Sequence, residues 1–205
     1  MNREEFFGEK VLHAGFSEED IKRVKNAYWL AKRIHEKQER DDGERYFEHC
    51  RETALILFEY GNPNADEIIT ALLHDAIEDG FAPPDIIKSL FGEDIENAVL
   101  TLSKTIPAFN EMGTLTERTK KPIEEYFCEI ASGDVSVKKI KLADRLHNLC
   151  NIAIGQNEKW DRKKIQKYLD ETRKHILPIA QNTNERFAEE IEKECKRLET
   201  EVEDP

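Results

Sequence analysis

Apolar residues recur along this chain with the period of an α-helix, and strand-like alternation is absent from its long segments. The segment A-L-L-H-D-A-I-E-D-G at 71–80 is the clearest instance. At about 100° per residue, Ile69, Leu72, Leu73, Ala76 and Ile77 fall on one arc, and His74, Asp75, Glu78 and Asp79 on the opposite one. The pairs His74/Glu78 and Asp75/Asp79 lie one turn apart. Ile68 departs from this division.

The same period and the turn residues predict the other elements. Ser17 caps a first helix, with Asp20 closing a capping box, and Ile21, Val24, Ala27, Tyr28, Ala31 and Ile34 carry it toward a turn at 40–43. Further helices are expected from Tyr46 to Tyr60, through 71–80 to a stop at Gly80, from Pro83 to Leu90, and from Glu93 to Leu102. Lys104 to Thr116 reads as an irregular loop of a length that suits a lid. Helices then follow at Thr116–Ala131, Val135–Ile154, Trp160–Ile176 and Asn184–Glu199, the last two separated near Pro178. The fold class expected is all-α, a helical bundle.

With 39% hydrophobic residues in 205, the chain should fold despite 36% charged residues. We expect one domain over 1–205, with a core at about 20–180 and a charged C-terminal helix at about 184–199. A net charge of −12 argues against broad binding to nucleic acid or anionic membranes. A phosphorylated small ligand stays compatible with local clusters of Lys and Arg. The four cysteines form no C-x-x-C pair and are expected to be reduced, mostly buried thiols. No signal-peptide layout or apolar run of membrane length is present, which predicts a cytoplasmic location. The pattern does not specify whether the chain forms a homo-oligomer.

On its own, the polar arc of 71–80 is an acidic solvated face. Yet no Lys or Arg within the segment offsets its three carboxylates. His49 lies early in its helix with Thr53 one turn on, and Asp144 shares a stripe with Asn148 and Asn151 opposite Leu142, Leu146, Leu149 and Ala153. Taken singly, His49 is an ordinary packed residue and Asp144 an intrahelical partner of Arg145. Taken jointly, His49, His74, Asp75 and Asp144 form a mixed N/O set that suits Mn²⁺, Fe²⁺ or Zn²⁺ better than Mg²⁺ or Ca²⁺. A cation held there lowers the pKa of water and makes it a nucleophile near neutral pH. Glu78 and Asp79 are candidates to hold that water or move its proton.

The ordered pattern H…HD…D resembles that of the HD superfamily of metal-dependent phosphohydrolases. Gly43-Glu-Arg-Tyr-Phe-Glu-His49, Ala71-Leu-Leu-His-Asp-Ala-Ile-Glu-Asp79, Phe91-Gly-Glu-Asp-Ile95 and Ile140-Lys-Leu-Ala-Asp-Arg-Leu-His-Asn148 resemble the motifs of the hydrolase domain of RelA/SpoT homologues. The resemblance covers about residues 20–180 and is carried mainly by the second and fourth of these motifs. It implies a stand-alone small alarmone hydrolase: a bundle of helices around one Mn²⁺ that removes the 3′-pyrophosphate of (p)ppGpp. By position it implies His49, His74, Asp75 and Asp144 as metal ligands, Glu78 and Asp79 as the residues that position or activate water, and Asn148 as a nucleotide contact. Arg40 lines up with the arginine of an Arg-Lys pair near the guanine site, whereas Asp41 stands where that pair has lysine. Lys104 matches a family lysine, Arg145 belongs to the fourth motif, and Arg118, Lys120 and Lys121 follow the irregular segment within reach of phosphate. Because of Asp41, two other functions stay open: the same chemistry on another nucleotide phosphate such as NADPH, or a nucleotide-binding regulatory module without catalysis.

Overall fold

The computed structural model describes residues 2–41, 43–80, 82–110, 115–152 and 160–203. It is a helical bundle of the all-α class with one small hairpin. α4 (Ala65–Leu73) lies at its centre, against α2 (Glu18–Ile34), α3 (Tyr46–Ile56), α6 (Glu93–Leu102) and α8 (Val135–Cys150). α4 starts in a reciprocal box: Asn64 Oδ1 accepts from the Glu67 backbone and Glu67 Oε2 from the Asn64 backbone, both at 2.9 Å. Ile68, Ile69, Leu72 and Leu73 are all fully buried. A helix apolar all round belongs in the interior, which accounts for Ile68 outside the expected arc.

The polar half of the central motif is not regular helix. α4 stops at Leu73 and His74–Gly80 continue as successive turns. Ala76 N–H donates to the Leu73 carbonyl, and the Asp79 and Gly80 N–H groups both reach the Asp75 carbonyl. Gly80 packs against α2: a Cβ there would run into Ile34 Cγ2 and sit 2.7 Å from the Ala76 carbonyl oxygen. The Ile34 side chain on one side and the Ala76 carbonyl on the other therefore require glycine at this position.

Several boundaries differ from the sequence expectation. α1 (Arg3–Leu12), capped by Asn2 and Glu5, precedes the first expected helix and buries only Phe7 and Val11. Ser17 does cap α2, but the helix stops at Ile34. His35 leaves it to stack on Tyr46, and Glu39 pairs with Arg45 across a turn through Gly43, whose φ is +85°. α3 continues into a π turn at Leu57–Gly61. α5 (Pro84–Phe91) and α6 meet at Gly92, with φ +98°.

The expected loop at 104–116 is instead largely an antiparallel hairpin, β1 (Thr105–Phe109) with β2 (Leu115–Lys120), with a bulge at Ala108/Phe109. β2 is wholly exposed, so no hydrophobic periodicity marks it, and the helical pattern begins only at α7 (Ile123–Ser132). Residues 111–114, with Gly113, lie outside the described residues. α8 ends at Cys150, not at Ile154, and Ala153 and Ile154 fall outside the described residues.

α9 (Arg162–Glu171) runs through a π turn at Thr172–Ile176 into α10 (Leu177–Thr183), so Pro178 does not separate two helices. The wider turn just before it accommodates a residue with no N–H and a ring that crowds the preceding turn. α11 (Glu185–Glu203) covers the bundle with Phe187, Ile191, Cys195 and Leu198, all fully buried. The cysteines are free, Cys50 and Cys195 buried, Cys128 and Cys150 exposed. No helix among the described residues is long and apolar enough to cross a membrane.

Candidate metal centre and cleft

α3, the end of α4 and α8 bring four ligand candidates together at the floor of a cleft of about 910 Å³. His49 Nε2 lies 3.2 Å from His74 Nε2, 3.3 Å from Asp144 Oδ1 and 3.5 Å from Asp75 Oδ2. His74 Nε2 lies 3.1 Å from Asp75 Oδ2 and 3.9 Å from Asp144 Oδ1. His49, His74 and Asp144 are buried and each offers one donor atom within 4.8 Å of the others.

The far side of each imidazole fixes its orientation. His74 Nδ1–H donates to the Ala71 carbonyl at 2.8 Å, which turns Nε2 toward the cluster. His49 Nδ1 pairs with His147 Nδ1 at 2.8 Å, and Asn151 Nδ2 approaches the His147 ring from the other side. Burial, then His49 and Arg40, push His147 down to about 3, so it is a neutral acceptor for the His49 N–H.

Burial works against charge on Asp75 and Asp144, but the cations around them prevail. Asp75, beside His74 and His49, and Asp144, beside Lys141, are held well below the usual carboxylate range. Lys141 Nζ donates to Asp144 Oδ2 and Asn148 Nδ2 to Asp144 Oδ1, both at 2.6 Å. Burial lowers the His74 imidazole, yet Asp75 and Asp144 outweigh it and raise it to about 9. The ionised carboxylates of buried Asp144 and half-buried Asp75 and two imidazoles with converging Nε2 atoms fit a divalent cation.

Glu78 and Asp79 stand beside this cluster. Burial and the neighbouring Asp75 and Asp79 raise Glu78 to about 7, against a hydrogen bond that Glu78 Oε2 accepts from the Lys104 backbone at 2.6 Å. Burial and Asp75 also raise Asp79. Tyr46 OH lies 2.8 Å from Asp75 Oδ2 and 2.6 Å from Asp79 Oδ2. Burial and those carboxylates raise its own pKa, so the hydroxyl keeps its proton. The Tyr46 hydroxyl, with one proton to donate, thus bridges the Asp75 and Asp79 carboxylates.

The candidate substrate contacts divide. Arg40 reaches the cleft, its Nη2 donating to Asn148 Oδ1 at 2.8 Å. Lys104 Nζ lies 3.7 Å from Glu171 Oε1, and burial and then Lys141 lower it to about 8. Arg145 borders the cleft but is 1% exposed, bonded to Glu171 and Thr172 and lying 4.1 Å from the Tyr168 ring. Its ion-pair partner is Glu171, while Asp144 pairs with Lys141. Arg118 donates to the Glu78 carbonyl at 3.4 Å, Lys120 closes β2 on the exposed ribbon, and Lys121 is held by Glu129 and the Leu100 carbonyl.

Sequence reasoning missed Tyr46, Lys141, His147, Trp160, Tyr168 and Glu171. The first three lie inside the recognised motifs, as G-E-R-Y and I-K-L-A-D-R-L-H-N. The others are brought in by the return of α9 and carry no local signal.

A model of the HD domain matches residues 27–174. The bifunctional (p)ppGpp synthase/hydrolase SpoT of Escherichia coli K12 is 34% identical over 175 residues, covering 83% of this chain and 23% of that protein. The probable GTP diphosphokinase RSH2 of rice, a chloroplast protein, is 33% identical over 175 residues, covering 84% and 23%. The chain thus spans about a quarter of the length of these relatives. A solved structure of a metazoan ortholog of SpoT, described as hydrolysing ppGpp, superposes with a TM-score of 0.72 at 21% identity, over 85% of this chain and 94% of that one. It shares the fold.

Proposed function

The chain belongs to the HD-domain family, and from that premise we propose that it is a Mn²⁺-dependent phosphohydrolase that removes the 3′-diphosphate of (p)ppGpp, giving GDP or GTP and pyrophosphate. The observation that carries this reading is the convergence of His49, His74, Asp75 and Asp144 beside Glu78, whose carboxyl sits near neutral pH. The names of the similar proteins support the substrate. His49, His74, Asp75 and Asp144 would hold the ion, which supplies Lewis-acid polarisation of a phosphoryl oxygen and a more acidic water.

The rest falls to the chain's own side chains. Water adds to the phosphorus on the ribose 3′-oxygen, and the bond between that phosphorus and the 3′-oxygen breaks. Glu78 takes the proton the water gives up, as a base tuned to the working pH. Asp79, through Tyr46, keeps the acid beside the cluster in one arrangement. The Lys104 ammonium, steadied by Glu171, meets the charge that develops on the departing 3′-oxygen, which takes up a proton from solvent to become the free hydroxyl. Arg145 acts at one remove, by fixing Glu171. Arg40 and Asn148 contact the nucleoside.

The direct test is product analysis with ppGpp, Mn²⁺ and a chelated control. The expected products are GDP and pyrophosphate in equal amounts, lost on chelation and lost in the His74→Ala and Asp144→Ala variants. Turnover undiminished in a variant shown to hold no metal would overturn the mechanism. Replacing Mn²⁺ by Fe²⁺ or Zn²⁺ at equal occupancy tests the choice of ion.

A further inference from the structure

The end of α2 supports the turn that bears Glu78 and Asp79. His35 caps α2, is 1% exposed, and stacks on Tyr46 with ring centres 4.9 Å apart and planes 18° apart. Its Nδ1 lies 2.5 Å from Gln38 Oε1, and Gln38 Nε2 donates to the Asp79 carbonyl at 2.5 Å. A Cβ at Gly80 would sit 3.2 Å from His35 Cε1, so the imidazole also packs against the backbone that follows Asp79.

These hydrogen bonds fix the protons. The Gln38 amide nitrogen is engaged by the Asp79 carbonyl, so Oε1 is the acceptor and His35 Nδ1 carries the hydrogen. Burial lowers the pKa of His35 and keeps the imidazole neutral. Its Nε2 is then a buried acceptor, and it has no hydrogen-bond partner among the described residues. A buried polar atom left without a partner costs stability. A phenylalanine would make the same stack on Tyr46 without that cost. What only the histidine provides here is the N–H to Gln38.

Two ties converge on Asp79. Gln38 holds its carbonyl, and the Tyr46 hydroxyl, 2.6 Å from Oδ2, holds its carboxylate. Both run back to His35, one through Nδ1–H and the other through the stacked ring. They are also joined to each other, since Tyr46 N–H donates to the Gln38 carbonyl at 2.9 Å. Holding a residue at its main chain and at its side chain sets the direction in which that side chain points. We propose that His35 and Gln38 are positioning residues of the hydrolytic site: they keep Asp79, and with it the adjacent Glu78, in place beside the metal cluster while touching neither substrate nor ion. This assignment rests on the proposed hydrolysis and names the residues that keep its two acids aligned.

The test uses the full chain loaded with Mn²⁺, with ppGpp as substrate, and compares Gln38→Met, His35→Phe and the double variant. Gln38 is half-buried, and the phenylalanine keeps the stack on Tyr46, so both single variants should fold. Each should lower kcat by about 10- to 100-fold, with KM and Mn²⁺ affinity as in the wild type. His35→Phe should be at least as stable as the wild type, so that rate and stability move apart. The double variant should be no slower than Gln38→Met, because the imidazole N–H acts through the amide. Hydrogen exchange of the backbone amides at 74–80, followed by mass spectrometry, should be faster in all three. Unchanged kcat in Gln38→Met, unchanged exchange at 74–80, or a loss of rate matched by a loss of folded protein or of bound Mn²⁺ would overturn the assignment. If the wild-type protein leaves ppGpp intact while exchange at 74–80 still quickens in the variants, the hydrolase reading falls and the clamp on Asp79 stands.

Discussion

The backbone N–H of Lys104 donates to Glu78 Oε2 at 2.6 Å, joining the residue that opens the hairpin to the carboxylate beside the metal cluster. That bond favours the ionised carboxylate, while burial and the acids Asp75 and Asp79 favour the neutral one and prevail, leaving Glu78 at about 7. A base of this kind should give a rate that rises with pH through that region, the midpoint lying lower once a cation adds its positive charge. Glu78→Gln should keep the metal and lose about 10²- to 10⁴-fold in kcat. Rate against pH and metal content of the variant check both. Loss of metal in Glu78→Gln would instead make this residue a ligand.

The same shift has a consequence for stability. A carboxyl raised in the folded chain above its unfolded value of 4.5 costs stability as pH climbs from there through about 7. In chelated protein, Glu78→Gln should therefore be more stable than wild type at pH 8, by about 1–3 kcal/mol, and nearly equal to it at pH 4. Denaturant melts at the two pH values measure the difference. A gain of the same size at both would show that the stabilisation is not electrostatic.

His147 illustrates how much of the site was legible. The ligand candidates could be found because the sequence around His74, Asp75 and Asp144 divides into polar and apolar arcs, and the recognised motifs placed them in order with His49. The hairpin, the early end of α4 at Leu73 and the π turn before Pro178 could not, because exposed strands and local changes of hydrogen-bond register leave no periodic trace. His147 lies within a recognised motif, but its contact with His49 joins residues 98 apart in sequence. In sequence Arg145 reads as a partner of Asp144 or a substrate contact, and only the return of α9 shows it buried against Glu171. As the acceptor that orients His49, His147 should matter to the ion without touching it. His147→Ala is expected to weaken metal binding by about 10- to 100-fold, less than His49→Ala. Titration with Mn²⁺ followed by calorimetry compares the two.

Gly80 ties the turn bearing Glu78 and Asp79 to α2. A methyl group there has no room between Ile34 Cγ2 and the Ala76 carbonyl, and Gln38 Nε2 holds the adjacent Asp79 carbonyl at 2.5 Å. Gly80→Ala should cost about 1–3 kcal/mol, with a lower kcat because the acids move with the backbone. Removing Cγ2 in a Gly80→Ala/Ile34→Ala double variant should relieve the clash with α2, so the two losses should combine to less than their sum. Strict additivity would place the strain at Ala76 alone.

Arg145 and Glu171 provide the final prediction. Arg145 is 1% exposed and bonded to Glu171 and Thr172, and Glu171 also faces Lys104 Nζ at 3.7 Å. Glu171→Met strands a buried guanidinium, at a cost of about 3–5 kcal/mol, and it also releases Lys104. Replacing both partners, as Arg145→Met/Glu171→Met, removes the uncompensated charge, so the double variant should be more stable than Glu171→Met alone. Activity should not follow stability. Lys104 has lost its anchor in both variants, so both should be slower on substrate by a similar factor. Thermal melts and kcat of the three proteins separate the two effects. Recovery of activity together with stability in the double variant would show that Glu171 serves the fold and not Lys104.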